Sequence, residues 1–149
     1  MFTVRGLLQE KTNKELFSIG PRARVSTANN LMRRKKIGSL LVIEKNKLVG
    51  IMTIRDSFLK INHDVQAAKD TLVREVMTPK EEVISVTSFA NMNDCLAVMD
   101  HHTIQHLLVI EDGEEEVIGI VSIRDVARSI SAHQDYLAGE MGNYNLSRT

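Results

Sequence analysis

The sequence predicts an α+β protein made of two copies of one unit, each strand, helix, strand, strand, helix, packed by their sheets into one pseudo-two-fold module. Three observations carry this. Three blocks recur in the same order: VRGLLQEK (4–11) with VREVMTPK (73–80), IGSLLVIE (37–44) with IQHLLVIE (104–111), and GIMTIRD (50–56) with GIVSIRD (119–125). Helical apolar spacing alternates with short continuous apolar runs inside each copy. A unit of roughly 60 residues buries too little to be comfortably stable alone, whereas the whole 149-residue chain suits one domain of ordinary size.

The elements follow in order. LFSI (16–19) and VISV (83–86) read as short strands. Val25, Ala28, Leu31 and Met32, and then Met92, Cys95, Leu96 and Met99, have the spacing of a buried helix face. SLLVIE and HLLVIE are continuous apolar strands. KNK and DGEEE are turns, with Asp112-Gly113 a hairpin signal, and LVGIMTI and VIGIVSI are the returning strands. A second helix begins near Thr53 and near Ser122. In the second copy it runs longer, with Val126, Ile130, Leu137 and Met141 roughly on one face. The register shifts by two residues between the first and second blocks and then returns, as expected where loops vary and elements persist.

Composition narrows the function. Lys plus Arg (19) equals Asp plus Glu (19), so no global field attracts nucleic acid or an anionic membrane. No window reaches the roughly 18 apolar residues of a membrane span, and the N-terminus has no leader pattern, so the expected location is the cytoplasm. The single cysteine, Cys95, excludes an internal disulfide and a CxxC site. Its place matches Ala28 of the first copy, which reads as a buried, inert thiol. The seven methionines read mostly as core filler.

The doubled GIxTIRD-type block carries two readings. Thr53 with Asp56, and Ser122 with Asp125, fit a capping box, in which the hydroxyl accepts from the first helical N–H groups and the acid reaches back. Gly50 and Gly119 fit close backbone approach. The same hydroxyl and acid could instead accept hydrogen bonds from a ribose diol, with Arg55 and Arg124 offering planar forks to phosphate. The arginines equally fit a solvated helix face.

Taken with VREVMTP and the repeated strand, the doubled block resembles the CBS domain, named after cystathionine beta-synthase. The resemblance covers about residues 3–62 and 70–132, and the pair resembles a Bateman module. It implies a first repeat at 3–62, a linker at 63–72, a second repeat at 73–132, and a helical extension and tail at 133–149. The C-terminal ISAHQDYLAGEMGNY resembles that of small bacterial stand-alone CBS-pair proteins.

The resemblance also implies a function: no catalysis and no required cofactor, but regulatory binding of an adenine nucleotide (AMP, ADP, ATP or NAD, and in some relatives S-adenosylmethionine). Thr53, Asp56, Ser122 and Asp125 would hold ribose, and Arg55 and Arg124 phosphate. Adenine beside Asp125 would meet Ser18, Ile19, Gly20, Ile37, Gly38 and Ser39. Adenine beside Asp56 would meet Ser85, Val86, Thr87, Ile104, Gln105 and His106. Leu41 and Leu108 stand where the family often has proline. Gly38-Ser39 leaves more room than Gln105-His106, so the two sites should be unequal, with the Asp125 site accepting adenine more readily. A homodimer and a separate regulated partner are expected, and the alternative is a dimerisation scaffold with vestigial sites.

Other functions find less in the residues. No Walker, GxGxxG, GxSxG or HExxH pattern occurs. His101, His102 and His106 cluster without an acid or cysteine at ligand spacing, so no metal is expected. MRRKK (32–36) fits a solvated helix C-terminus better than a nucleic-acid surface, since no aromatics interleave.

Overall fold

The computed structural model describes residues 3–10, 16–62, 64–111 and 116–146, for 140–146 the backbone only. In chain order the elements are α1 (Val4–Glu10), β1 (Ser18–Ile19), α2 (Val25–Lys35), β2 (Ser39–Glu44), β3 (Lys47–Thr53), α3 (Ile54–Ile61), α4 (Val65–Asp70), α5 (Val73–Val76), β4 (Thr78–Pro79), a 3-10 turn (Lys80–Glu82), β5 (Ser85–Thr87), α6 (Met92–His102), β6 (His106–Ile110), β7 (Val117–Ser122) and α7 (Ile123–Leu146). They form two compact units, one of residues 15–84 and the other of residues 1–14 with 85–149. The predicted strand, helix, strand, strand, helix order is present in each. The 16–19 strand is shorter than expected, and α4 occupies much of the expected linker. The Asp112-Gly113 turn and the Met141 side chain lie outside the described residues.

In the 15–84 unit the sheet order is β1-β2-β3-β4. β1 runs parallel to β2 with Ser18 opposite Leu41, and β3 returns antiparallel with Ser39 opposite Thr53. Lys45 and Asn46 take positive φ (50° and 62°), the conformation a two-residue hairpin turn of the right twist requires. α2 lays Val25, Ala28 and Met32 into the core, with Leu31 half-buried. Arg33, Arg34 and Lys35 occupy its last turn, where cations suit the helix dipole, and Lys36 closes it in the left-handed region by donating to the Met32 and Arg33 carbonyls. The core is completed by Leu40, Val42, Met52, Ala68, Val73 and Val76. Full burial of such a side chain stabilises by about 1.5–3 kcal/mol.

The 85–149 unit repeats this plan with a three-stranded sheet, β5-β6-β7. Ser85 faces Leu108 in the parallel pair, and His106 faces Ser122 in the antiparallel one. A bulge falls at Val42/Ile43 and again at Val109/Ile110, the corresponding place. Asn91 caps α6 by accepting from the Asp94 N–H, and Met92, Cys95 and Met99 are buried beneath it, with Leu96 half-buried. On α7, Val126 is buried and Ile130 half-buried, whereas Leu137 is exposed, so the apolar stripe read along this helix is covered only near its start.

The leading segment of each repeat joins the unit built around the other repeat. The Val4 and Arg5 N–H groups donate to the Ala90 and Ser88 carbonyls at 2.8 and 2.9 Å. Val73 and Arg74 donate to the Ala23 and Pro21 carbonyls at the same distances. Beyond these bonds the two segments differ: after α5 the chain extends and adds β4 to the sheet, pairing with Gly50 and Ile51, whereas α1 stays helical to Glu10. No described helix is long and apolar enough to cross a membrane.

Candidate functional site

Each unit ends its third strand in the hydroxyl–acid pair that the sequence singles out. Thr53 is extended (φ −120°, ψ 162°), and its Oγ1 accepts from the Asp56 N–H at 3.2 Å. The Asp56 carboxylate in turn accepts from the Thr53 N–H at 2.8 Å and the Thr53 hydroxyl at 3.2 Å, both on Oδ2. In the other unit Asp125 Oδ2 accepts from the Ser122 N–H at 2.9 Å, and Ser122 Oγ from the Asp125 N–H at 3.1 Å. Both are complete capping boxes, so the capping reading holds for both copies. At Asp56 both donated bonds converge on one carboxylate oxygen, Oδ2.

The wall residues stand beside these caps within each unit. Ser39 pairs with Thr53 across the sheet, and the Ile54 N–H donates to the Gly38 carbonyl at 3.0 Å. Likewise His106 pairs with Ser122, and the Ile123 N–H donates to the Gln105 carbonyl at 2.8 Å. Ile19, Ile37, Gly38, Ser39, Val86, Thr87, Ile104 and His106 are half-buried, while Ser18, Gly20, Ser85 and Gln105 are exposed. Arg55 is half-buried and Arg124 exposed. Of the combinations expected from the resemblance, Asp125 and residues 18–20 and 37–39 fall in different units, as do Asp56 and residues 85–87 and 104–106.

Two features escaped the sequence reading. Lys60, four residues after Asp56, lies 3.4 Å from Asp56 Oδ1 and also donates to the Val76 carbonyl, while Ser129 holds its place in the second copy. The i, i+4 spacing was the available signal. A part-buried polar contact joins α2 to α3, where Asn29 Nδ2 donates to Ser57 Oγ at 3.0 Å, and the second copy has Leu96 and Val126 there. The His101 and His102 rings meet edge to face with centroids 4.9 Å apart, and among the described residues no group of three or more His, Cys, Asp or Glu is placed to hold a metal.

Comparison with known proteins agrees with this geometry. The CBS domain family profile matches residues 6–56 and 73–132. The Arabidopsis thaliana CBS domain-containing protein CBSX3, mitochondrial, is 34% identical over 66% of this chain, which spans 48% of that protein's length. The structure of a CBS-domain protein from Burkholderia ambifaria superposes with a TM-score of 0.79 at 34% identity, covering 89% of this chain and 96% of that one. CBSX2, solved in complex with AMP, shares the fold at 22% identity and a TM-score of 0.67, covering 89% and 98%. Two matched repeats, each ending its third strand in a capped hydroxyl–acid pair, place this chain in the CBS-domain family.

Proposed function

We propose that the chain is a non-catalytic regulatory module that binds an adenine nucleotide. The observation that carries this is the pair of capping boxes, each ending a strand beside half-buried wall residues, in a chain of the CBS family. Asp56 Oδ1 lies outside the hydrogen bonds of the cap, which is what a carboxylate needs to accept from a ribose diol while still holding its helix. Thr53 with Asp56 and Ser122 with Asp125 take the ribose, Arg55 and Arg124 the phosphate, and residues 18–20, 37–39, 85–87 and 104–106 the adenine. The AMP complex of CBSX2, a protein of the same fold, supports adenine nucleotides as the class to test first.

The two sites are unequal on this reading. Lys60 already contacts Asp56 Oδ1, so a diol at Asp56 competes with an ammonium, and the second copy has Ser129 in the place of that lysine. Gly38-Ser39 also leaves the wall proposed for the Asp125 site more open than Gln105-His106. A helix face bearing Ile54, Phe58 and Leu59 at 46%, 54% and 60% exposure supports assembly as a homodimer, which sedimentation equilibrium tests directly. Binding regulates a separate partner only through differential affinity for two states of the module.

The competing reading is a scaffold in which the boxes serve only as caps, and the completeness of both caps favours it. Thermal unfolding against AMP, ADP, ATP, NAD and S-adenosylmethionine separates the two, using the wild type, Asp56→Asn and Asp125→Asn. A nucleotide at 100 times its dissociation constant adds about 2.7 kcal/mol per site, or roughly 5–10 °C in a chain of this size. The expected result is a shift with one nucleotide that Asp125→Asn removes. No shift with any ligand, together with lower midpoints for both variants, returns the boxes to capping alone.

A further inference from the structure

We propose that the 85–149 unit carries a second site, distinct from the capped hydroxyl–acid pair, that takes a small zwitterion of the free amino acid class in the cleft between α1 and the sheet. The cleft has a volume of about 320 Å3 and is lined by Arg5, Leu8, Gln9, Ser88, Glu111 and Ile118. Glu111 follows β6 and Ile118 lies at the start of β7, so the cleft sits at the hairpin end of the sheet. Ser122 and Asp125 stand at the opposite end, where β7 finishes.

The other repeat serves as an internal control, because both leading segments dock through the same pair of backbone hydrogen bonds. In the 15–84 unit the chain then turns extended, and β4 occupies the sheet edge at Gly50 and Ile51. In the 85–149 unit α1 stays helical, no described strand pairs with that edge of β7, and Leu8 stands over Gly119 instead. Two side chains have changed with it. By the strand registers, Ser88 replaces Pro21, Phe89 replaces Arg22, and Glu111 corresponds to Glu44. Glu44 pairs with Arg22 at 2.6 Å, whereas Glu111 has no ion pair among the described residues. Ser88 is fully buried, and its hydroxyl has no hydrogen-bond partner among the described residues. The Arg5 guanidinium lies 5.6 Å over the Phe89 ring, on the ring that stands where the other copy has a cation.

Among the described residues, the divergence therefore replaces an ion-paired surface with a cleft holding one cation, one anion, one amide and one buried hydroxyl. A simple anion is repelled by Glu111 and a simple amine by Arg5. A molecule with both charges a few bonds apart satisfies each, its carboxylate toward Arg5 and Ser88, its ammonium toward Glu111, and an aliphatic side chain against Leu8 and Ile118. The volume is at the small end of ligand pockets, which suits a metabolite of this size. Buried polar groups without partners are uncommon enough in native proteins that Ser88 itself calls for an explanation.

The test uses the nucleotide-free full chain and does not depend on nucleotide binding. Each of the twenty free L-amino acids at millimolar concentration is screened by thermal shift, and hits are titrated by calorimetry. For L-leucine the half-charged controls are 4-methylpentanoate and 3-methylbutylamine. The expected result is a raised midpoint with at least one aliphatic amino acid, no shift with either control, and loss of the shift in Glu111→Gln and in Ser88→Pro. The proline variant installs the residue that the first copy carries at this turn, so it is expected to fold. No binding by any amino acid, or binding unchanged in Glu111→Gln with native circular dichroism, overturns the proposal.

Discussion

Substituting alanine at Gly50 and at Gly119 tests whether the doubled glycine is set by the segment that packs on it. Neither glycine takes a left-handed backbone, so conformational freedom is not the reason for either. A Cβ at Gly50 would lie 2.5 Å from the Thr78 carbonyl oxygen and 2.8 Å from Met77 Sδ. The carbonyl belongs to β4, which is paired to this same strand, so relief means moving a backbone. Overpacking of this kind costs about 1–3 kcal/mol, and a weakened ladder bond adds about 1. Against this stands roughly 0.4–1 kcal/mol from the lower entropy of the unfolded chain. The net expectation for Gly50→Ala is a loss of about 1–3.5 kcal/mol, or roughly 2–14 °C. At Gly119 the nearest atoms are Leu8 Cδ2 and Cδ1 at 2.8 and 3.1 Å, the far end of a flexible side chain. Rotation of Leu8 relieves that contact, so Gly119→Ala should fall within about 1 kcal/mol of wild type. Urea and calorimetric unfolding measure both. Equal losses at the two positions, or a neutral Gly50→Ala, would refute the claim that β4 makes the difference.

Two further predictions use the same logic of comparing copies. Ser57→Val alone strands the Asn29 amide and should cost about 1–3 kcal/mol, whereas Asn29→Leu with Ser57→Val imports the apolar pair of the second copy and should return to within about 1 kcal/mol of wild type in a urea double-mutant cycle. Burial, with the neighbouring Asp94 carboxylate adding to it, raises the Cys95 thiol above its ordinary pKa. The folded state then keeps a proton that the unfolded chain has released, so this contribution is intact below the ordinary thiol value and is lost as pH rises through the raised one. Between about pH 8 and about pH 10 the wild type should therefore lose more thermal stability than Cys95→Ala, which carries the residue found at Ala28.

The sequence was most informative where local chemistry decides the structure. The hydroxyl–acid spacing at Thr53/Asp56 and Ser122/Asp125 identifies helix starts, and Val25, Ala28 and Met32 identify a buried face, because caps and periodicity act within a few residues. The two leading segments, VRGLLQEK and VREVMTPK, look alike yet diverge after their shared docking bonds. Pro79 cannot continue a helix, while Gln9 and Glu10 can, so that difference was present in the residues. Which unit each segment joins is another matter, since it depends on contacts distant in sequence that no local pattern encodes. The repeated bulge after Val42 and Val109 was hidden for the same reason: the extra residue leaves no mark on an otherwise continuous apolar strand.

Why the doubled block carries both a hydroxyl and an acid has an answer in how the oxygens are divided. At Asp56 one carboxylate oxygen takes the backbone and hydroxyl bonds of the cap, and the other faces Lys60. Capping and ligand binding can thus act through the same side chain without competing for the same atom. That division explains why stability measured without nucleotide cannot distinguish the two roles, since removing the acid unseats the helix in either case. The lysine supplies the distinction. Lys60→Ser gives the first copy the residue of the second and leaves the cap bonds untouched, so a scaffold should change only by the small worth of one half-exposed ion pair and the lost Val76 contact. If Asp56 also receives a diol, removing the competing ammonium should instead strengthen nucleotide binding at the weaker site, a gain seen by calorimetry as a second resolved binding event. Unchanged binding in Lys60→Ser would refute a diol at Asp56 Oδ1 and leave that carboxylate a cap alone.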